Sequence, residues 1–244
     1  PELEATAEVD AALRASDVVF HSVADDRSRR WIRSHTSEAY DLNPLYEDGR
    51  PRIEAYRAMA ELVVARARGG ERVLLAVYGH PCFLHTGVQL TVRTARAEGL
   101  AFQILPGLSS IDGLFARIGV DPGFGGLQML EASDLMMYGR QPQTEGHVVI
   151  LQVAIVGPRV HLAAGHSGAH AEFLIRRLEA LYPTTHPALH FRLAAGDRDD
   201  ELIWSTVGAL RLERWTNPSS LYLPPARQAP LDQEWVERFG APMG

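Results

Sequence analysis

The segment Arg72-Val73-Leu74-Leu75-Ala76-Val77-Tyr78-Gly79-His80-Pro81-Cys82-Phe83 constrains the fold more than any other stretch of the chain. Its apolar, β-branched run is too short for a comfortable helix. It predicts a strand, Val73 to Tyr78, buried on both faces as in a parallel sheet. Gly79 and Pro81 then break the strand with a loop. In open α/β sheets, ligands sit in the crevice beyond the carboxyl ends of the strands. This strand-to-loop junction is therefore the first place to expect a small-molecule site.

The surrounding pattern alternates. Helical spacing predicts helices over Glu2 to Ser16, Arg27 to Ser34, Ile53 to Arg68 and Val88 to Ala97, the last two closed by Gly69-Gly70 and Gly99. Short strands are predicted over Asp17 to Phe20 and Ala101 to Leu105, and Leu42 to Pro51 is turn-rich. Such alternation gives parallel βαβ units with right-handed crossovers. The character changes at Pro106-Gly107. Ser109 can cap a helix carrying Ile111, Leu114, Phe115 and Ile118, and Ser109-x-x-Asp112 fits the looser capping-box pattern. Asp121 to Gly126 reads as a loop. Beyond it, strands over Leu127 to Glu131, His147 to Ile155, Ala188 to Leu193, Leu202 to Thr206 and Ser219 to Leu223 accompany one helix, Ala171 to Leu181. Fewer helices per strand imply a mixed sheet. The expected organisation is an N-terminal α/β domain over 1–107, a C-terminal α/β domain over 108–226 and a tail over 227–244 with one short helix, Asp232 to Phe239.

The 244 residues suffice for one large or two small domains and for a sizeable core. No apolar run reaches the length of a membrane span, and no signal-peptide pattern is visible. The single cysteine, Cys82, excludes an internal disulfide and suits a reducing compartment such as the cytoplasm; it reads as a buried spectator. A formal charge of −6 argues against nucleic acid as a partner, and the basic run Arg27, Arg29, Arg30 and Arg33 reads as a solvated helix face. No H-E-x-x-H or paired Cys-x-x-Cys exists, so no metal is expected, and His161, His166 and His170 are assigned to the surface. The Gly123 to Gly126 loop lacks the Lys-Ser/Thr of a phosphate loop, and no G-x-S-x-G elbow is present.

Three segments carry candidate chemistry. Tyr78-Gly79-His80-Pro81 and Pro106-Gly107-Leu108-Ser109-Ser110 both follow strand ends, and the second offers small residues and hydroxyls to a ligand. The third is Tyr46, Arg52 and Tyr56. Arg52 and Tyr56 share a helix face at i, i+4, with Tyr46 in the preceding loop. A guanidinium beside phenols favours the phenolate and lowers a tyrosine pKa from its usual value near about 10.

These motifs, with Gly119-Val120-Asp121-Pro122 and Ser219-Ser220-Leu221-Tyr222-Leu223-Pro224-Pro225, resemble the tetrapyrrole methylase superfamily, the class III S-adenosylmethionine-dependent methyltransferases. Leu130-Glu131-Ala132-Ser133-Asp134 and Tyr46-Glu47-Asp48-Gly49…Arg52…Tyr56 narrow the likeness to the borosin branch, which methylates backbone amide nitrogens of a ribosomal precursor peptide. The resemblance covers about Ser16 to Pro225. It implies a two-domain fold, mostly parallel αβα then mixed-sheet α/β, with the cofactor in the cleft between the domains. It further implies that Tyr78, His80 and Phe83 line the cofactor pocket, and that Ser109 and Ser110 meet its amino-acid end or ribose. Gln152 and Ala154, on the strand His147 to Ile155, match positions near the adenine, and Pro218, Ser219 and Ser220 close the pocket. Tyr46, Arg52 and Tyr56 match the catalytic positions. A homodimer is the expected assembly.

Three departures stand out. The family opens with a strand and a Gly-x-Gly turn at the cofactor site, and Pro1 begins just where that turn should end. The start is therefore trimmed, disordered or absent. Asn43 stands where fused fungal members carry another tyrosine. No clasp domain or core peptide follows Pro225, so the expected substrate is a separate chain, methylated in trans. In the expected mechanism Tyr46 is the general base, and Arg52 and Tyr56 hold the developing imidate oxygen. The two tyrosines are interchangeable at this level. Two other readings stand beside this one. The first is a tetrapyrrole or other small-molecule methyltransferase, and the second is a non-catalytic partner protein that keeps the fold.

Overall fold

Val18–Ser22 (β1) is the centre of the first sheet, and its alternation decides what packs on each side. Val18 and Phe20 join a buried cluster with Ala55, Met59 and Val63 of helix Arg52–Arg68 (α3). Val19 joins Leu13 of Ala7–Ala15 (α1) and Ile32 of Asp26–His35 (α2) on the other face. Thr6 and Asp25 cap those two helices by accepting from Val9 N–H and Ser28 N–H. The description comes from a computed structural model and covers residues 5–23, 25–157, 159–161, 170–193, 199–212, 215–216 and 218–240.

The chain divides into two compact units. One comprises Pro1–Gly119, Pro158–Gly165 and Leu193–Glu201; the other Val120–Gly157, His166–Arg192 and Leu202–Gly244. The division falls after Gly119, whereas the motif pattern places the boundary after Gly107. The capped helix Ser110–Ile118 (α5) goes with the first unit, to which two later segments return.

The first unit holds a parallel sheet of three strands in the order Ala39–Asp41 (β2), β1, Val73–Val77 (β3). Helix Thr86–Ala97 (α4) packs along α3. β2 is a strand that the sequence reading missed, because three residues carry too little periodicity. Two other expectations fail together. β3 is half-buried along its length, not enclosed on both faces. Ala101 to Leu105 forms no strand. β3 pairs with β1 alone among the described strands. A cavity of about 280 Å³ adjoins its outer side, lined by Leu74, Leu75 and Val77 together with Phe102, Ile104 and Leu105. An apolar run is buried only where neighbours cover it.

The second unit is a mixed sheet in the order Leu127–Glu131 (β4), His147–Leu151 (β5), Ser220–Leu223 (β8), Pro187–Arg192 (β6), Glu201–Thr206 (β7). β4 runs parallel to β5, and β8 is antiparallel to both β5 and β6. The core joins Val148, Ile150, Leu221 and Leu223 to Leu174 and Leu178 of Ala171–Glu179 (α7). Helix Ala132–Met137 (α6), capped by Glu131, was not foreseen. The predicted strand His147 to Ile155 stops at Leu151. Gln152 takes a left-handed φ of 60°, and Val153–Ile155 make a 3₁₀ turn, so neither Gln152 nor Ala154 is on a strand. The tail helix is Gln233–Phe239 (α8), capped by Asp232. No described helix is long and apolar enough to cross a membrane.

Candidate active site

Tyr46 closes the 3₁₀ turn Asn43–Leu45, donating its N–H to the Asn43 carbonyl at 3.0 Å. Asn43 is itself pinned: its amide donates to the Val23 carbonyl at 2.9 Å, and its oxygen accepts from Ser22 Oγ at 3.0 Å. The turn delivers Tyr46 against the cluster of Leu42, Ala55 and Met59. Arg52 opens α3, and Tyr56 lies one turn on. The rings of Tyr46 and Tyr56 meet edge to face, 6.0 Å between centroids. Tyr46 and Arg52 also line a cavity of about 170 Å³. The three residues read from the sequence are thus brought to one place.

Their electrostatics differ from the expectation. Burial pushes the Tyr46 phenol well above its ordinary pKa; the Tyr56 and Tyr78 phenols push the same way, and a hydrogen bond with Ser22 pulls against them. The prediction that a nearby guanidinium lowers it fails, because desolvation of the phenolate outweighs the other effects. Tyr78, at the end of β3, exposes 44% of its surface, yet burial around its phenol and the neighbouring Tyr56 raise its pKa too.

The loop after β3 and the segment 106–110, which no strand directly precedes, assemble beside this cluster. The His85 ring meets Tyr78 edge to face at 5.0 Å, and its Nε2–H donates to the Tyr78 carbonyl at 2.8 Å. Burial lowers the His85 pKa. His80 packs edge to face on Phe83 at 5.0 Å, and its Nδ1 accepts from the Cys82 N–H at 3.1 Å. Cys82 is exposed, contrary to the buried spectator expected, because it sits in the loop after the strand and not in the strand. Gly107 has a stereochemical reason: a Cβ there would lie 2.5 Å from the Gly79 carbonyl oxygen, so the two loops touch backbone to backbone.

Ser109 and Ser110 behave differently. The Ser109 hydroxyl donates to the Asp112 carboxylate at 2.6 Å and accepts from the N–H groups of Ile111 and Asp112. The capping box that Ser109-x-x-Asp112 predicts is complete, and it occupies that hydroxyl. Its hydrogen bonds, the hydroxyl's above all, hold the Asp112 carboxyl below its usual value. Ser110 is exposed at the start of α5. In the second unit, Val153 N–H donates to the Ser219 carbonyl at 3.0 Å, which draws the Gln152–Ala154 turn to the segment Pro218–Ser220. The Ser219 hydroxyl is buried, bonded to His190 Nε2 at 2.9 Å and accepting from Thr216 N–H at 3.0 Å.

Sequence reasoning missed His161. Expected at the surface, it is half-buried, and its ring stacks on Tyr46 at 5.2 Å. More than a hundred residues separate the two, so no spacing rule links them. His166 lies outside the described residues. No group of three or more metal-ligating side chains occurs among the described residues.

The family model of Tetrapyrrole (Corrin/Porphyrin) Methylases matches residues 4–210. The chain belongs to the tetrapyrrole methylase family. It is 33% identical over 235 residues to a methyltransferase/type III borosin cyclic peptide precursor of Anomoporia bombycina, covering 94% of this chain. It is 33% identical over 222 residues to a methyltransferase/type I borosin cyclic peptide precursor of Coprinopsis marcescibilis, covering 88% of this chain. The chain spans 27% and 57%, respectively, of the lengths of these two relatives. The borosin likeness read from the motifs is thus matched across most of the chain. Among solved structures, the uroporphyrin-III C-methyltransferase of Thermus thermophilus aligns with a TM-score of 0.64 at 16% identity, covering 99% of this chain and 92% of that one. Its complex with S-adenosylhomocysteine aligns with a TM-score of 0.59 at 15% identity, covering 91% of each chain. The two-domain methylase fold expected from the motifs is therefore the fold found.

Proposed function

We propose that the chain transfers the methyl group of S-adenosylmethionine to backbone amide nitrogens of a ribosomal precursor peptide, supplied as a separate chain. One observation carries this reading: three phenols, Tyr46, Tyr56 and Tyr78, converge where Arg52 opens α3, beside the loop that ends β3. A homodimer in the cytoplasm belongs to the same proposal and rests on the resemblance.

The residues present fit the donor. The backbone contact of Gly79 with Gly107 joins the loop after β3, which carries Tyr78, His80 and Phe83, to the segment 106–110. Those three would hold a nucleoside. The Ser110 hydroxyl and the backbone at Ser109 would meet polar parts of the ligand, since the Ser109 hydroxyl is already engaged. The resemblance assigns the same ligand to Gln152, Ala154, Pro218, Ser219 and Ser220 of the second unit. When bound, S-adenosylmethionine supplies an electrophilic methyl group and departs as S-adenosylhomocysteine.

An amide nitrogen is a poor nucleophile because its lone pair is shared with the carbonyl. The protein must remove the N–H proton and stabilise charge on the amide oxygen. Burial holds Tyr46 as a neutral phenol, which suits it to donate a hydrogen bond to that oxygen. This favours one of the two assignments that the sequence leaves open. Arg52 adds positive charge at the same oxygen. Tyr56 is the base that takes the proton; the N–H electron pair stays on nitrogen, where the new bond to carbon forms.

The test is peptide mass, in steps of one methyl group, after incubation with a precursor peptide and saturating S-adenosylmethionine. Tyr56→Phe and Arg52→Ala should each slow methylation by about a hundredfold or more. Unchanged methylation in both removes the mechanism. Methyl incorporation into a porphyrinogen, with none into peptide, moves the assignment to a tetrapyrrole methyltransferase. Absence of S-adenosylhomocysteine binding by calorimetry leaves the non-catalytic partner reading.

A further inference from the structure

The segment Arg159–His161 returns to the first unit from far along the chain and pairs with the loop that carries the candidate catalytic residues. Gly49 N–H donates to the His161 carbonyl at 2.8 Å, and His161 N–H to the Arg50 carbonyl at 2.8 Å. Arg52 N–H donates to the Arg159 carbonyl at 3.1 Å, and Pro51 and Val160 face each other as an antiparallel bridge. These bonds fix the backbone from Gly49 to Arg52. They also place the His161 imidazole over Tyr46, with 5.2 Å between ring centroids and 30° between planes. Among the described residues two rings contact Tyr46 at different angles, His161 stacked and Tyr56 edge to face. His161, Tyr46 and Arg52 line the same cavity of about 170 Å³.

We propose that His161 is a positioning residue, its ring fixing the orientation of the Tyr46 ring and hence the aim of the Tyr46 hydroxyl. The proposal rests on the peptide methyltransferase reading for its catalytic consequence, but not for its structural one. A phenol on a turn ahead of a helix has two free side-chain torsions. Burial against Leu42 and Ala55 restrains one side of it, and a stacked ring removes the remaining freedom. Hydrogen bonds in a reacting centre demand such restraint, because a displacement of about 1 Å can cost about a hundredfold in rate.

The experiment uses the full chain with two substitutions, His161→Ala and His161→Phe, and two readouts. The first is the Tyr46 ring itself, followed by NMR in protein labelled with ¹³C-tyrosine. Tyr46→Phe assigns the resonance. His161→Ala should speed ring flipping and shift the resonance, and His161→Phe should restore both towards the wild type. The second readout is peptide methylation. His161→Ala should lower kcat by about tenfold to a hundredfold with KM for peptide little changed, and His161→Phe should recover most of that loss. A ring signal and kcat both unmoved in His161→Ala overturn the proposal. So does a loss in His161→Ala that His161→Phe repeats in full, since an imidazole nitrogen and not the stacked ring would then be what matters. If the ring responds as expected while no variant, nor the wild type, methylates peptide, the positioning role stands and the functional reading falls.

Discussion

β3 and β5 are five-residue strands of similar apolar character, Val-Leu-Leu-Ala-Val and His-Val-Val-Ile-Leu, and their surroundings could hardly differ more. β5 is bonded on both edges, to β4 and β8, and every residue is buried. β3 is bonded on one edge, to β1, and every residue is half-buried beside a cavity of about 280 Å³. Composition selects the strand; the neighbours on each edge and face decide how much water leaves it. Substitution makes the contrast measurable. Ile150→Ala, at a fully buried position, should cost about 2–5 kcal/mol in chemical denaturation, and Leu75→Ala about half of that or less. Equal costs would mean that the open side of β3 is covered by something in solution.

Two buried histidines repeat the contrast in polar terms. His147, on β5, bonds through Nδ1 to the Tyr222 hydroxyl at 2.8 Å. Tyr222→Phe should therefore cost about 1–2 kcal/mol. His21, on β1, is fully buried, and among the described residues neither ring nitrogen has a hydrogen-bond partner; the Asp41 carboxylate stands 3.9 Å away. Burial lowers the His21 pKa, Asp41 opposes that, and Arg33 and Arg29 reinforce it. Its folded pKa lies below the unfolded value of about 6.5. The unfolded chain therefore takes up the proton first as the pH falls. The stability associated with His21 is complete above about pH 6.5 and is lost as the pH drops through that value towards the folded pKa. The melting temperature should fall between about pH 7.5 and about pH 5.5, and His21→Leu should flatten part of that slope. An unaltered slope in His21→Leu would place the titration elsewhere.

What could be read ahead of the structure divides along the same line. Local signals held. The Ser109-x-x-Asp112 box and the ending of α3 at Gly69-Gly70 are both set by residues within a turn of one another. Signals that depend on remote neighbours did not hold. Ala101 to Leu105 has the composition of a strand but finds no partner strand. His147 to Ile155 reads as one strand, yet a left-handed backbone at Gln152 turns it after Leu151. At the candidate site, Tyr46, Arg52 and Tyr56 were legible because i, i+4 spacing and a short loop place them together. The direction of the Tyr46 pKa was not, since it follows from how much protein surrounds the phenol. His161 reaches Tyr46 through a return of the chain that no local pattern encodes.

The smallest expected effect concerns how the single bonded edge of β3 is anchored. Asp17, just ahead of β1, accepts from the Arg72 guanidinium at 2.7 and 3.2 Å and from the Arg72 backbone N–H at 2.8 Å. Asp17 N–H donates in return to the Arg72 carbonyl at 2.8 Å. These bonds, the side-chain ones first, hold the Asp17 carboxyl at about 2 against an ordinary 3.8. Because the folded pKa is the lower, the stabilisation is complete above the unfolded value of 3.8 and is lost as the pH falls from there through about 2. Both side chains are well exposed, so solvent and salt weaken the pair and neutral-pH stability should barely register its removal. The pKa is the sensitive observable. In Arg72→Ala the Asp17 pKa, followed by NMR titration, should rise part of the way to 3.8 and stop short, because the N–H of residue 72 remains a donor. A full return would mean that the guanidinium alone restrains the carboxylate and that the backbone bond opens with it. β3 would then be held at its start by a surface ion pair, while β5 is held by strands on both sides.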